Sequence, residues 1–117
     1  MKIMTAVLHL TRLRCVRPDD SGSDGDEVKL QIDGHQQWPN REDGFFNMGT
    51  DHEVPMDISH VFRGQATVAL FDDEDVGHDS RLGAMSFSED VETPGVATFH
   101  GQSGSVYELT YEIPARF

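Results

Sequence analysis

The side chains in this chain that could do chemistry are its carboxylates, and they are clustered. Asp72, Asp73, Glu74 and Asp75 stand in a row, with Asp79 close behind, inside the stretch Leu70 to Gly83. A second acidic stretch carries Asp19, Asp20, Asp24, Asp26 and Glu27. Adjacent carboxylates repel one another unless water, a basic group or a hard cation takes up the charge. Calcium suits such loops, because it accepts about six to eight oxygens from flexible backbone. On an extended chain, every second side chain falls on the same side. Asp24 and Asp26 have that spacing, as do Asp73 and Asp75, and the register Asp72 with Glu74 is equally open. Two such loops at one end of a sandwich would supply a ligand set from distant sequence. The plainer alternative is a solvated acidic surface serving solubility or salt tolerance.

Other chemistries find less support. A helix-loop-helix calcium loop would use Asp20, Asp24, Gly25 and Asp26, but Gly22 and Gln31 stand where ligands belong, and the flanks read as strands. The six histidines are His9, His35, His52, His60, His78 and His100, and none pairs at the helical spacing of a zinc site. His78, among the loop acids, reads as an internal counter-ion. Cys15 is the single cysteine, so an internal disulfide is excluded, and its apolar strand context predicts a buried inert thiol. The sequence holds no nucleophile elbow, phosphate loop or dinucleotide fingerprint. We expect no enzyme.

The elements that position the acids read as strands. Met4, Ala6, Leu8 and Leu10 alternate, and then Leu13 and Cys15 continue in the opposite phase. One extra residue near Thr11 produces that switch, which predicts a bulge. Val28, Leu30 and Ile32 form a half-buried strand, Gly34 turns the chain, and Gln36 to Trp38 completes a hairpin. Phe45, Phe46 and Met48 supply apolar cover. Val54, Met56 and Ile58 alternate beside Pro55, which suits an edge or a strand start. Ala66 to Phe71 is nearly continuous apolar sequence, as in a central strand, and Leu82 to Phe87 follows the acidic loop. Gly95 to His100 and Tyr107 to Ile113 close the chain, with Pro114 expected to stop the last strand. This predicts an all-β, two-layer antiparallel sandwich of about eight strands, a single domain over residues 1–117.

The totals limit the partners. The net charge is −12, from 21 acidic and 9 basic residues, with Lys2 and Lys29 the only lysines. That balance disfavours nucleic acid and unaided docking on anionic lipid. No apolar run approaches a membrane span, and the N-terminal run, broken by Thr5 and His9, reads as a strand rather than a signal peptide. A cytoplasmic setting is the default expectation.

These features together resemble the C2 domain, the sandwich of protein kinase C and synaptotagmin. Its first ligand loop runs from an Asp through small residues to Ser-Asp-Pro-Tyr. This chain has Asp19 or Asp20, then Ser23-Asp24-Gly25-Asp26-Glu27-Val28. Its second loop reads aromatic-Asp-x-Asp and then Asp-Asp-x-Leu-Gly. Here stand Phe71-Asp72-Asp73-Glu74-Asp75 and Asp79-Ser80-Arg81-Leu82-Gly83. A short bacterial variety of the domain is more similar still, with a Cys ending the first strand, then Asp-Gly, then a Trp. Cys15, Asp33-Gly34 and Trp38 match that layout. Pro-Tyr is absent from the first loop, and Ser80 replaces an Asp in the second. The resemblance implies calcium ligands at Asp20, Asp26, Asp73, Asp75 and Asp79, with Asp19, Asp24 and Asp72 as additional candidates. It also suggests a basic sheet face for phosphoinositides, but Arg12 and Arg14 have too few cations around them. The expected function is a non-enzymatic calcium-binding module bridging to lipid, glycan or protein. The alternative is a structural or adaptor subunit of a larger assembly, such as a secretion apparatus or phage particle, with no required ion. Trp38, Phe45 and Phe46 are expected to pack on the core rather than form an interaction patch.

Overall fold

A computed structural model describes residues 4–19, 25–39, 44, 46–73, 80–91, 93–101 and 104–117. Nine strands run through them: β1 (Thr5–Arg17), β2 (Asp26–Ile32), β3 (His35–Trp38), β4 (Phe46–Met48), β5 (Glu53–Arg63), β6 (Gln65–Asp72), β7 (Ser80–Ser88), β8 (Gly95–His100) and β9 (Val106–Arg116). They form two antiparallel sheets. One has the order β5-β1-β9-β8, and the other β3-β2-β6-β7 with β4 also paired to β2. This is the all-β sandwich that the alternation predicts. The strand beyond the expected number is the three-residue β4, too short to alternate visibly.

Inward-facing apolar side chains from both sheets make one core. Leu8, Leu10, Leu13 and Cys15 come from β1, Leu30 and Ile32 from β2, Leu70 from β6, Leu82 and Phe87 from β7, and Tyr107 and Leu109 from β9. The phase switch in β1 is where the sequence puts it. Leu10 and Leu13 are both buried, while Thr11 and Arg12 between them both face outward. Against β9, Thr11 is the extra residue, since Leu10 pairs with Tyr111 and Arg12 with Thr110. Against β5 the count reverses: Leu10 pairs with Ile58 and Arg12 with Pro55, so Met56 and Asp57 together oppose Thr11. Pro55 lies near the start of an edge strand, as proline requires.

Pro114 does not stop β9, which continues to Arg116. Ile113 and Pro114 sit in a bulge opposite Leu8, between the pairs Val7–Ala115 and His9–Glu112. A bulge leaves a residue outside the ladder, so the missing proline N–H costs nothing there. The β2–β3 turn places Asp33 and Gly34 at φ 51° and 85°. That left-handed pair matches the right-handed twist of a two-residue hairpin. In β7, Gly83 has φ 137°, and a Cβ there would lie 2.9 Å from the Phe99 Cβ, so this glycine lets β7 approach β8.

Candidate functional site at the acidic end

Strand direction decides where the acidic stretches go. β1 ends at Arg17, β2 begins at Asp26, β6 ends at Asp72 and β7 begins at Ser80. β2 and β6 are antiparallel neighbours with Val28 opposite Asp72, so the residues before β2 and those after β6 leave at the same end. Backbone bonds tie the two exits together. The Asp73 N–H donates to the Glu27 carbonyl at 2.8 Å, and the Glu27 N–H donates to the Asp72 Oδ1 at 2.9 Å. The β4–β5 turn arrives there too: the Cys15 N–H donates to the His52 carbonyl and the Asp51 N–H to the Cys15 carbonyl.

The expected site residues that are described take three different positions. Asp26 is fully buried, and its Oδ2 accepts the Tyr107 hydroxyl at 2.5 Å and the Asp19 N–H at 2.8 Å. Burial, and then the bond to Asp26, push the Tyr107 phenol far above the usual tyrosine range, so it keeps its proton and donates. Asp72, also buried, projects to the same inner side as Asp26, since residues 26 and 28 of β2 and 70 and 72 of β6 are all buried. Asp73 projects to the opposite face, where its Oδ1 lies 3.1 Å from the Lys29 Nζ. Asp19 enters through its backbone, as a donor to Asp26. Asp20, Asp24, Asp75 and Asp79, with His78, lie outside the described residues. Among the described residues, no group of three or more His, Cys, Asp or Glu could hold a metal ion. A metal site at this end would therefore need acids beyond those described.

Two residues of this end escape a sequence reading, Lys29 and Tyr107. Lys29 is one of only two lysines and faces outward beside the acidic stretch, which is the signal that could have found it. Tyr107 alternates inward with Leu109, and an inward hydroxyl needs a partner when buried. Nearby, Trp38 and Phe46 pack with ring centroids 5.3 Å apart and Phe46 lies 5.6 Å from the His52 ring. Both aromatics pack on the core, as expected, and Phe45 is outside the described residues. Cys15 is buried, opposite Tyr107, and that burial pushes its thiol pKa up, away from nucleophilic use. Arg12 lies 3.5 Å from Glu53, and Arg14 is held between Asp51 and Glu108 at 2.9 and 3.0 Å, so neither presents an isolated cation to a phosphate. No helix among the described residues is long and apolar enough to cross a membrane.

No protein-family model matches the chain, and no curated protein matches it. Among solved structures it is similar to one described as the structure of a C2 domain. That likeness has 14% identity and a TM-score of 0.49, and it covers 94% of this chain and 99% of the other. It is also similar to a C2 domain of plant extended synaptotagmin 1, at 13% identity and a TM-score of 0.45, covering 97% and 95%. Both likenesses run over most of the chain, which folds as the two antiparallel sheets described above.

Proposed function

We propose that the chain is a non-enzymatic binding module whose acidic end takes up calcium and bridges to an anionic lipid headgroup, a glycan or a protein carboxylate. The observation that carries this reading is the paired exit of two acidic segments, joined through Glu27, Asp72 and Asp73. The ligands we assign are Asp20, Asp26, Asp73, Asp75 and Asp79, with Asp19, Asp24 and Asp72 as additional candidates. Asp72 gains weight because it shares the inner side with Asp26, whereas Asp73 faces Lys29. A carboxylate offers about four lone-pair positions, so the bonds Asp26 already accepts leave capacity for a cation. A hard cation would cancel the repulsion between the two segments and turn the end of the sandwich from anion-repelling to anion-accepting.

The test is thermal unfolding of the whole chain with calcium and then with chelator. Selective binding to the folded state raises the melting temperature by mass action, by about 2.7 kcal/mol of stability at a hundredfold excess over Kd. Asp73→Asn combined with Asp75→Asn should remove the shift and leave the fold intact. An unchanged melting temperature at millimolar calcium, with no heat of titration, overturns the reading.

Lys29 favours a second reading. It already neutralises Asp73, so the acidic end carries part of its own counter-charge. That suits a structural or adaptor subunit of a larger assembly, in which the sandwich supplies rigid surface and needs no ion. Under this reading calcium changes stability no more than a monovalent salt at the same ionic strength, and a partner co-purifies with the chain. A monomer at every concentration with no partner argues against it.

A further inference from the structure

His9 lies where the ladder of its sheet is broken on both sides. Ile113 and Pro114 bulge opposite Leu8 on one side, and Thr11 breaks register with both β5 and β9 on the other. Pro55 and Pro114, on the two flanking strands, each lack a backbone donor. Across this gap His9 sends one ring nitrogen to each neighbour. Its Nε2 lies 2.6 Å from the Asp57 Oδ1 on β5, and its Nδ1 lies 2.8 Å from the Glu112 Oε1 on β9. A neutral imidazole carries one N–H and can donate to only one carboxylate, whereas the imidazolium donates to both. The two nitrogens point apart, so the carboxylates converge on no common point and the trio is not a metal site.

We propose that protonated His9 is a pH-set clamp that ties β5 and β9 to β1 where their backbone pairing is interrupted. The other charges facing this part of the sheet are already engaged. From β5 comes Glu53, on Arg12, and from β9 comes Glu108, which with Asp51 holds Arg14. Asp57 and Glu112 are therefore the carboxylates that face His9 directly, one from each flanking strand. The bond to Glu112 and then that to Asp57 hold the imidazole above its ordinary pKa, against the opposing effect of partial burial. The sign follows from linkage. The clamp's stabilisation is fully present below the ordinary value of about 6.5 and is lost as pH rises through the raised folded value. Mild alkalinisation thus loosens the edge strand β5 and the bulged part of β9.

The test is NMR of the full chain. The His9 ring should titrate with a midpoint above about 6.5, and both Asp57→Asn and Glu112→Gln should lower it. Hydrogen exchange, corrected for its intrinsic pH dependence, gives the structural readout. Protection of the amides of Met56, Ile58 and Tyr111 should fall about tenfold through that midpoint. In His9→Gln it should be low and independent of pH. If His9→Gln does not fold, Asp57→Asn carries the same comparison. A midpoint at or below the ordinary value overturns the clamp, as does protection that ignores the His9 titration or survives His9→Gln unchanged.

Discussion

Asp26 shows how one acidic residue serves the fold before it serves any ion. It opens β2, is fully buried, and receives one hydrogen bond from a side chain 81 positions away and another from the backbone at Asp19. A buried carboxylate without donors would carry a large desolvation penalty. The Tyr107 hydroxyl is thus a condition of Asp26 sitting where it does. Tyr107→Phe removes one donor to a charged acceptor and keeps the ring packing. We expect a loss of about 2 kcal/mol, read as a lower urea midpoint at constant m-value. A midpoint equal to the parent's would show that Asp26 is satisfied without the phenol. The same substitution should leave the His9 titration unmoved, since the two sites lie at different positions along the sheet.

At the level of elements, the bulge at Thr11 is what allows a long first strand to serve the core along its whole length. Leu10 and Leu13 are three apart, yet both point inward because one residue is left over between them. Deleting Thr11 leaves Leu10, Arg12 and Leu13 in strict alternation, so Leu13 and Cys15 stay inward and the ladder to β9 becomes regular, while Met56 and Asp57 of β5 lose the residue they oppose. The deletion should therefore lower the urea midpoint through the edge strand β5 while unfolding stays cooperative, because the core face of β1 is kept, and loss of cooperative unfolding would contradict the register. This bulge was legible in the sequence because burial has a period of two and a single break in phase is visible. So were the hairpin at Asp33–Gly34 and the central character of β6. The bulge at Ile113–Pro114 was not, because a proline reads as a stop wherever the partner strand's count is unknown. The acidic segments were legible as strand ends, but their internal partners were not. Lys29 for Asp73 and Tyr107 for Asp26 are choices made by cross-strand register and sandwich packing, so the sequence marks each residue as in need of a partner without saying which.

For the molecule as a whole, charge balance sets a condition on stability that no single pair decides. The net charge is −12, and the compact state holds the surplus acids closer together than the unfolded chain does. Opposing this are the surface ion pairs of Arg12 and Arg14, and exposed pairs of that kind contribute little. Screening weakens both effects, but repulsion sums over the whole excess of carboxylates while the attractions are few. The repulsive side therefore wins, and added monovalent salt should raise the melting temperature at neutral pH as the Debye length shortens from roughly 30 Å at 0.01 M to 10 Å at 0.1 M. A falling melting temperature over that range would mean that the ion pairs outweigh the surplus. The experiment also separates screening from binding. At matched ionic strength, calcium acting only as an ionic atmosphere gives nearly the shift of a monovalent salt, whereas calcium held at the acidic end gives a further rise that saturates with concentration and disappears in the Asp73→Asn, Asp75→Asn variant.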